Sequence, residues 1–230
     1  MHLCFCFGGN MKEFKAAIFD LDGTLIDSMY VWSKVDQDFL TERGIEVTEE
    51  YTEAVKGMFF ETAARYTIQK YGLKESTEQI ISIWLNMARY EYEHNVKLKP
   101  FVREYIGLLR EKGIKTGLAT SSNPYLLEPV LSSNNADKLF DAVCYTSQAG
   151  RNKSFPDIYL MTAERLGVSP ESCIVFEDIP EGITGAGLAG MYTVAVYDKA
   201  SENYADRLKK TADRYIYSFS EMVGELYGKE

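Results

Sequence analysis

Two close pairs of carboxylates stand far apart in this sequence: Asp20 with Asp22, and Glu177 with Asp178. Between them in the chain come a hydroxyl pair, Thr120-Ser121, and a lysine, Lys153. Gathered in one place, four ionised carboxylates repel one another strongly. A hard cation with oxygen ligands resolves that conflict. The only histidines are His2 and His94, neither of them near the acids in the chain. Mg²⁺ is therefore the natural choice for this donor set. A phosphate can then bridge the metal, the Lys153 ammonium and the Thr120 hydroxyl. Backbone N–H groups of the turn after Asp20 and of Ser121 complete an anion cradle, and Gly23 gives that backbone room to approach substrate. With a cation holding the charge, Asp20 can attack phosphorus and form an aspartyl-phosphate, which divides one hard displacement into two easier ones. Asp22 can protonate the leaving oxygen and then deprotonate the water that hydrolyses the acyl phosphate.

These groups meet only if the fold carries them to one edge. Ala16–Phe19 is a short apolar run that ends in Asp20 and reads as a buried strand. From Val31 to Asn95 the pattern turns helical, with apolar residues at three- and four-residue spacing in Thr62–Tyr71 and Ile80–Tyr92. Ser76 and Gln79 form a capping-box pattern before the second of these. Beyond Pro100, strands and helices alternate. Strands are expected at Lys115–Ala119, Ala142–Tyr145, Cys173–Phe176 and Tyr192–Val196. Helices are expected around Val102–Leu109, after Asn123-Pro124, and over Pro156–Leu166 and Glu181–Ala189, with one more capped at Ser218.

Such alternation implies an α/β protein: a Rossmann-like parallel sheet with helices on both faces. Residues 11–28 and 97–230 form this core, and residues 29–96 form an inserted all-helical cap domain. Residues 1–10 read as disordered or as an upstream extension, with translation starting at Met11. In a sheet of this kind ligands bind beyond the C-terminal ends of the strands, where Asp20, Thr120 and Glu177-Asp178 all fall.

The bulk properties narrow the function classes. The 230 residues are 46% hydrophobic and 26% charged, ordinary globular material. A net charge of −9 argues against non-specific nucleic-acid binding but not against a small anionic substrate held by a local cation. No apolar run is long enough to span a membrane. Cys4, Cys6, Cys144 and Cys173 make no metal-ligand or disulfide pattern and fit a reducing cytoplasm. The expected partner is a small-molecule phosphate ester, and a monomer is the default state.

The segment from Phe19 to Ser28 resembles the first motif of the haloacid dehalogenase-like hydrolase superfamily. Leu118–Ser121 resembles its second motif, Lys153–Asp157 its third and Val175–Gly182 its fourth, in the family's order and spacing from Lys15 to about Val196. The resemblance implies a helical cap between the first two motifs. It makes Asp20 the nucleophile and a metal ligand, and Asp22 the general acid/base with its backbone carbonyl on the metal. Thr120 and Lys153 hold phosphate. Asp178 binds Mg²⁺, and Glu177 either joins it or supports it. Val55-Lys56-Gly57 resembles a cap feature of the beta-phosphoglucomutase-like phosphatases. Two departures separate the chain from the mutase pattern: Trp32 stands where that pattern has histidine, and Phe60 where it has the arginine that clamps a second phosphate.

Plainer readings apply to several of these residues. A lone D-x-D-G is a common turn, and Lys153 alone would be a surface lysine. Asp27 and Ser28 read as capping the entry to the helical block, and Asp157 as orienting a loop or helix start. Trp32, Met58, Phe59 and Phe60 read as cap core, with the aromatics at the cap tip lining the substrate pocket as the alternative. Two alternatives to a phosphatase stay open: a phosphomutase that returns phosphoryl to sugar, and a non-enzymatic phospho-acceptor module, which would need neither Asp22 nor a cap.

Overall fold

The computed structural model describes residues 3–7 and 10–227. The chain opens with strands β1 (Leu3–Phe7), β2 (Asn10–Phe14) and β3 (Ala16–Phe19). Four helices follow: α1 (Val31–Thr41), α2 (Glu49–Val55), α3 (Phe60–Tyr71) and α4 (Thr77–His94). Then come α5 (Val102–Glu111), β4 (Lys115–Thr120), α6 (Pro124–Ser133), β5 (Ala142–Tyr145), α7 (Thr146–Ala149) and α8 (Asp157–Leu166). The chain closes with β6 (Cys173–Glu177), α9 (Pro180–Leu188), β7 (Tyr192–Val196), α10 (Ala205–Thr211), β8 (Arg214–Ile216) and α11 (Phe219–Tyr227). These elements gather into two units, one built from the chain up to Ser28 and from Lys97 onward, the other from Met29–Val96.

The first unit is an α/β sheet structure. Its main sheet has six strands, all parallel, in the order β5-β4-β3-β6-β7-β8. The winding reverses at β3: the chain runs outward through β4 to β5, then returns to place β6 on the other side of β3. Strands buried on both faces are nearly continuous apolar runs, and Ala16, Ala17, Ile18 and Phe19 are all fully buried. Ala16 and Ile18 pack with Ile158, Tyr159 and Ala163 of α8. Phe19 points to the opposite face. There it stacks on Phe176 at 4.9 Å and meets Tyr105 of α5 and Phe219 of α11, both at 6.3 Å. Burying each of these rings contributes about 2–3 kcal/mol, and together they lock β3 to β6.

The N-terminal segment differs from the sequence expectation. Leu3–Phe7 and Asn10–Phe14 pair as an antiparallel two-stranded sheet, so Leu3–Phe7 and Asn10 are not disordered, while the upstream-extension alternative is not touched by this pairing. The sequence there alternates Leu3, Phe5 and Phe7 with Cys4 and Cys6, which is the period of a strand. The rest of that expectation, at residues 1, 2, 8 and 9, lies outside the described residues.

The second unit is helical throughout. Its core holds Val35 and Phe39 of α1, Tyr51 of α2, Ala64 of α3 and Trp84 of α4. Phe39 and Trp84 meet edge to face at 5.6 Å. The Ser76–Gln79 capping box forms in full. The four aromatic and methionine positions behave differently from the expected cap core. Phe59 is 87% exposed and Phe60 41%, because Phe59 is the N-cap of α3 and precedes the helix whose periodicity buries a face. Trp32 is half-buried and leans its edge on Phe60 at 5.0 Å.

A polar chain runs through this helical core. Thr67 Oγ1 donates to the Ala63 carbonyl at 2.8 Å. The Tyr51 hydroxyl lies 3.0 Å from Thr67 Oγ1 and 3.3 Å from Asp36 Oδ1. A phenol has one proton for these two neighbours. A protonated Asp36 would supply the missing one. Burial pushes the Asp36 carboxyl up to about 6, against the opposing hydrogen bond from Tyr51. A raised carboxyl stabilises the fold at pH values below its ordinary 3.8, and that contribution is lost as pH rises through about 6. Asp36→Asn supplies a neutral donor at every pH. We expect it to raise stability at pH 7.5 by about 1 kcal/mol, discounted for partial exposure, and to give almost no gain at pH 4. Urea unfolding at the two pH values measures this, and an equal gain or an equal loss at both would contradict it.

Candidate active site

The parallel register brings the chemistry to one edge. Phe19 lies beside Leu118 of β4 and Phe176 of β6. The first residues past β3 therefore emerge between the ends of β4 and β6. Asp20 is the first of these, and its N–H continues the ladder by donating to the Phe176 carbonyl at 3.0 Å. Thr120 is the last residue of β4, Glu177 the last of β6, and Asp178 follows directly. Lys153 arrives from the loop before α8.

Asp20, Glu177 and Asp178 offer carboxylate oxygens that all lie within 4.8 Å of one another. All three are buried, and Glu177 is fully so. The Lys153 ammonium, also buried, donates to Asp20 Oδ1 and to Glu177 Oε1, the latter at 2.6 Å. The Tyr159 hydroxyl donates to the same Glu177 oxygen at 2.8 Å. Thr24 Oγ1 makes a long contact of 3.4 Å to Asp178 Oδ1. Asp22 stands outside the three-carboxylate group, is half-buried, and accepts from the Ser28 hydroxyl at 2.7 Å. Thr120 is fully buried and accepts the Ser122 N–H at 2.9 Å, which leaves its own hydroxyl proton for a ligand. Ser121 is exposed in the loop that leads to α6.

Two glycines make room for these acids. Gly23 has φ +85°, and a Cβ there would collide with the Asp178 carboxylate. A Cβ at Gly182, in the first turn of α9, would collide with the carboxylate of Glu177.

Electrostatics show the cost of this packing. One ammonium faces three carboxylates, so the full ionised cluster carries an excess of two negative charges. Burial raises the Glu177 carboxyl to about 7, with Asp20 adding to the rise and Lys153 opposing it. Burial, then Asp20 and Glu177, push Asp178 well above the usual carboxylate range. Burial works against the Lys153 ammonium, yet Asp20 and Glu177 outweigh it and hold its proton more tightly than usual. Among the described residues Glu177 Oε2 is buried with no hydrogen-bond partner. An all-oxygen, doubly negative, incompletely satisfied cluster fits a hard divalent cation.

The structure brings Asp20, Glu177, Asp178 and Lys153 together in one contiguous network. Ser28 is a correction. The N-cap of α1 is Tyr30, without a side-chain cap, and Ser28 turns back to hold Asp22. Asp157 opens α8, but no side chain caps that helix. Tyr159 joins this network without being announced by the sequence. Its only signal there is its place two residues after Asp157, where it reads as one more apolar position of a helix face.

A sequence profile of the family described as "Haloacid dehalogenase-like hydrolase" matches residues 17–196. Hexitol phosphatase B of Escherichia coli K12 is 28% identical over 223 residues, covering 93% of this chain and 96% of that protein. A phosphorylated carbohydrates phosphatase of Thermotoga maritima is 29% identical over 177 residues, covering 77% of this chain and 82% of that protein. Among solved structures, beta-phosphoglucomutase of Clostridium difficile shares the fold with a TM-score of 0.67 at 23% identity, over 94% of this chain and 98% of that one. With a profile match that spans most of its length and all the residues of the buried cluster, this chain belongs to the haloacid dehalogenase-like hydrolases.

Proposed function

We propose that the protein is a Mg²⁺-dependent phosphatase of a small phosphate monoester, and that it carries the phosphoryl group transiently on Asp20. The observation that supports this most directly is the buried cluster at the end of β3, three carboxylates around one lysine. The likeness to hexitol phosphatase B and to a phosphorylated carbohydrates phosphatase favours a sugar or sugar-alcohol phosphate as substrate.

In this reading each residue takes the role that the family resemblance implies, and the cluster's geometry supports it. Asp20 would attack phosphorus. Lys153 sits on Asp20 Oδ1 and is placed to neutralise the oxygens of the group in transfer. Thr120 would donate its hydroxyl proton to one of them, and the backbone N–H of Ser121 and the turn at Gly23 would add to the cradle. Asp22, held by Ser28 at 2.7 Å, would protonate the leaving oxygen and then take a proton from the attacking water. Asp20, Asp178, Glu177 and the Asp22 backbone carbonyl would hold Mg²⁺, which supplies charge neutralisation to the phosphate oxygens. Tyr159 and Lys153 together would keep Glu177 Oε1 in place.

A phosphomutase is the second reading, and the shared fold with beta-phosphoglucomutase favours considering it. Trp32 and Phe60, in place of the mutase histidine and arginine, weigh against it.

Two experiments test the proposal. Phosphate release from a panel of sugar phosphates should require Mg²⁺, stop with EDTA, and fall by at least about 10³-fold in a folded Asp20→Asn variant. Release that persists in the variant would remove Asp20 from the nucleophile role. With a hexose 1-phosphate as substrate, free phosphate should appear without hexose 6-phosphate. Accumulation of the isomeric sugar phosphate without free phosphate would establish the mutase instead.

A further inference from the structure

Lys99 lies where the chain returns to the sheet unit, just before α5, and the mechanism above does not use it. Its side chain is only 17% exposed. The ammonium donates to the Gly23 carbonyl, to the Tyr197 carbonyl at 3.2 Å and to Asp198 Oδ2 at 2.7 Å. An ammonium has three protons, so these three acceptors satisfy it in full. The backbone beneath it is fixed as well. The Lys99 N–H donates to the Leu25 carbonyl at 2.8 Å, and the Asp27 N–H donates to the Lys97 carbonyl at 3.1 Å.

The acceptors come from two loops on either side of the end of β6. Gly23 belongs to the turn that begins at Asp20, and its Cα lies against the Asp178 carboxylate. Tyr197 and Asp198 directly follow β7, the neighbour of β6. Asp198 is itself buried, takes the Ala200 N–H on its second oxygen at 2.8 Å, and adds its charge to those acting on Asp178. Lys99 thus crosses between the two loops that flank Glu177 and Asp178.

We propose that Lys99 is a positioning residue for phosphoryl transfer: its ammonium fixes the Gly23 carbonyl, and with it the Asp20–Thr24 turn, against Asp178 and the loop after β7. The proposal rests on the reading of the acidic cluster as a metal and phosphoryl site. Planarity of the 23–24 peptide means that holding its carbonyl also sets the direction of the Thr24 N–H. A misplacement of about 1 Å in such a turn costs on the order of 10²-fold in rate.

Removing Lys99 alone would also strand the buried Asp198 charge and could unfold the protein. The test therefore uses Lys99→Met together with the double variant Lys99→Met/Asp198→Asn, which removes both charges and keeps the side-chain bulk. Three quantities are measured: thermal melting, kcat and KM on the best phosphate ester, and Mn²⁺ binding by electron paramagnetic resonance without substrate. For the double variant the expected result is near-native melting, a KM within about threefold, and a kcat lower by about 10- to 100-fold. A kcat equal to that of the native protein overturns the proposal and leaves Lys99 as a counter-ion to Asp198. If the native protein hydrolyses no ester, the phosphatase reading fails and the Mn²⁺ titration decides on Lys99. Binding several-fold weaker in the double variant then upholds the positioning role. Equal binding, or none in either protein, overturns it.

Discussion

The structure is organised around a buried excess of negative charge. Asp20, Glu177 and Asp178 are held within a few ångströms of each other and away from solvent, and the Lys153 ammonium contacts Asp20 and Glu177. Isolated carboxylates do not stay ionised in such a place, and two of these respond with strongly raised proton affinity. A fold tolerates this arrangement when its framework is rigid and something else completes the charge balance. A divalent cation and a phosphate together do so, since the first neutralises the acids and the second takes up Lys153 and the remaining positive field. The same imbalance that burdens the cluster is what suits it to a hard cation and a phosphate.

The rest of the sheet unit can be read as the frame for that imbalance. The stacked rings of Phe19 and Phe176 tie together the two strands that deliver the acids. Tyr105 and Phe219 clamp these rings from α5 and α11. On the other face Tyr159 has a double role. Its ring fills the core beneath β3, and its hydroxyl reaches Glu177. Gly23 and Gly182 concede side-chain volume at the two points where a Cβ would press on a carboxylate. Lys99 joins the loops around the same strand ends from the far side of Gly23.

Much of this was legible in the sequence because it depends on local pattern. Apolar runs that end in Asp20, Thr120 and Glu177 give both the strands and the edge they share. The capping signals at Ser76 and Asn123 form as their spacing indicates, Asn123 Oδ1 accepting the Tyr125 N–H at 2.9 Å. What escaped depends on partners that are distant in the chain. Ser28 has the composition of a helix cap, but Asp22 competes for its hydroxyl. Phe59 is as apolar as any core residue, yet it precedes the helix that would turn it inward. Lys99 binds the Gly23 carbonyl 76 residues before it and the Tyr197 carbonyl and Asp198 carboxylate 98 and 99 residues after it, and no spacing rule announces that. The short edge strand β8, Arg214–Ile216, is too brief and too polar at its start to stand out from a loop.

The central claim is that Asp20 becomes covalently phosphorylated during turnover. The most direct measurement is an acid quench in the steady state with a ³²P-labelled sugar phosphate and Mg²⁺, followed by peptide mapping of the trapped protein. The account predicts label on the peptide that contains Asp20, an acyl phosphate stable in acid and lost in mild base, and no label in Asp20→Asn. Steady release of phosphate with no label at Asp20, or label on a different residue, would contradict it.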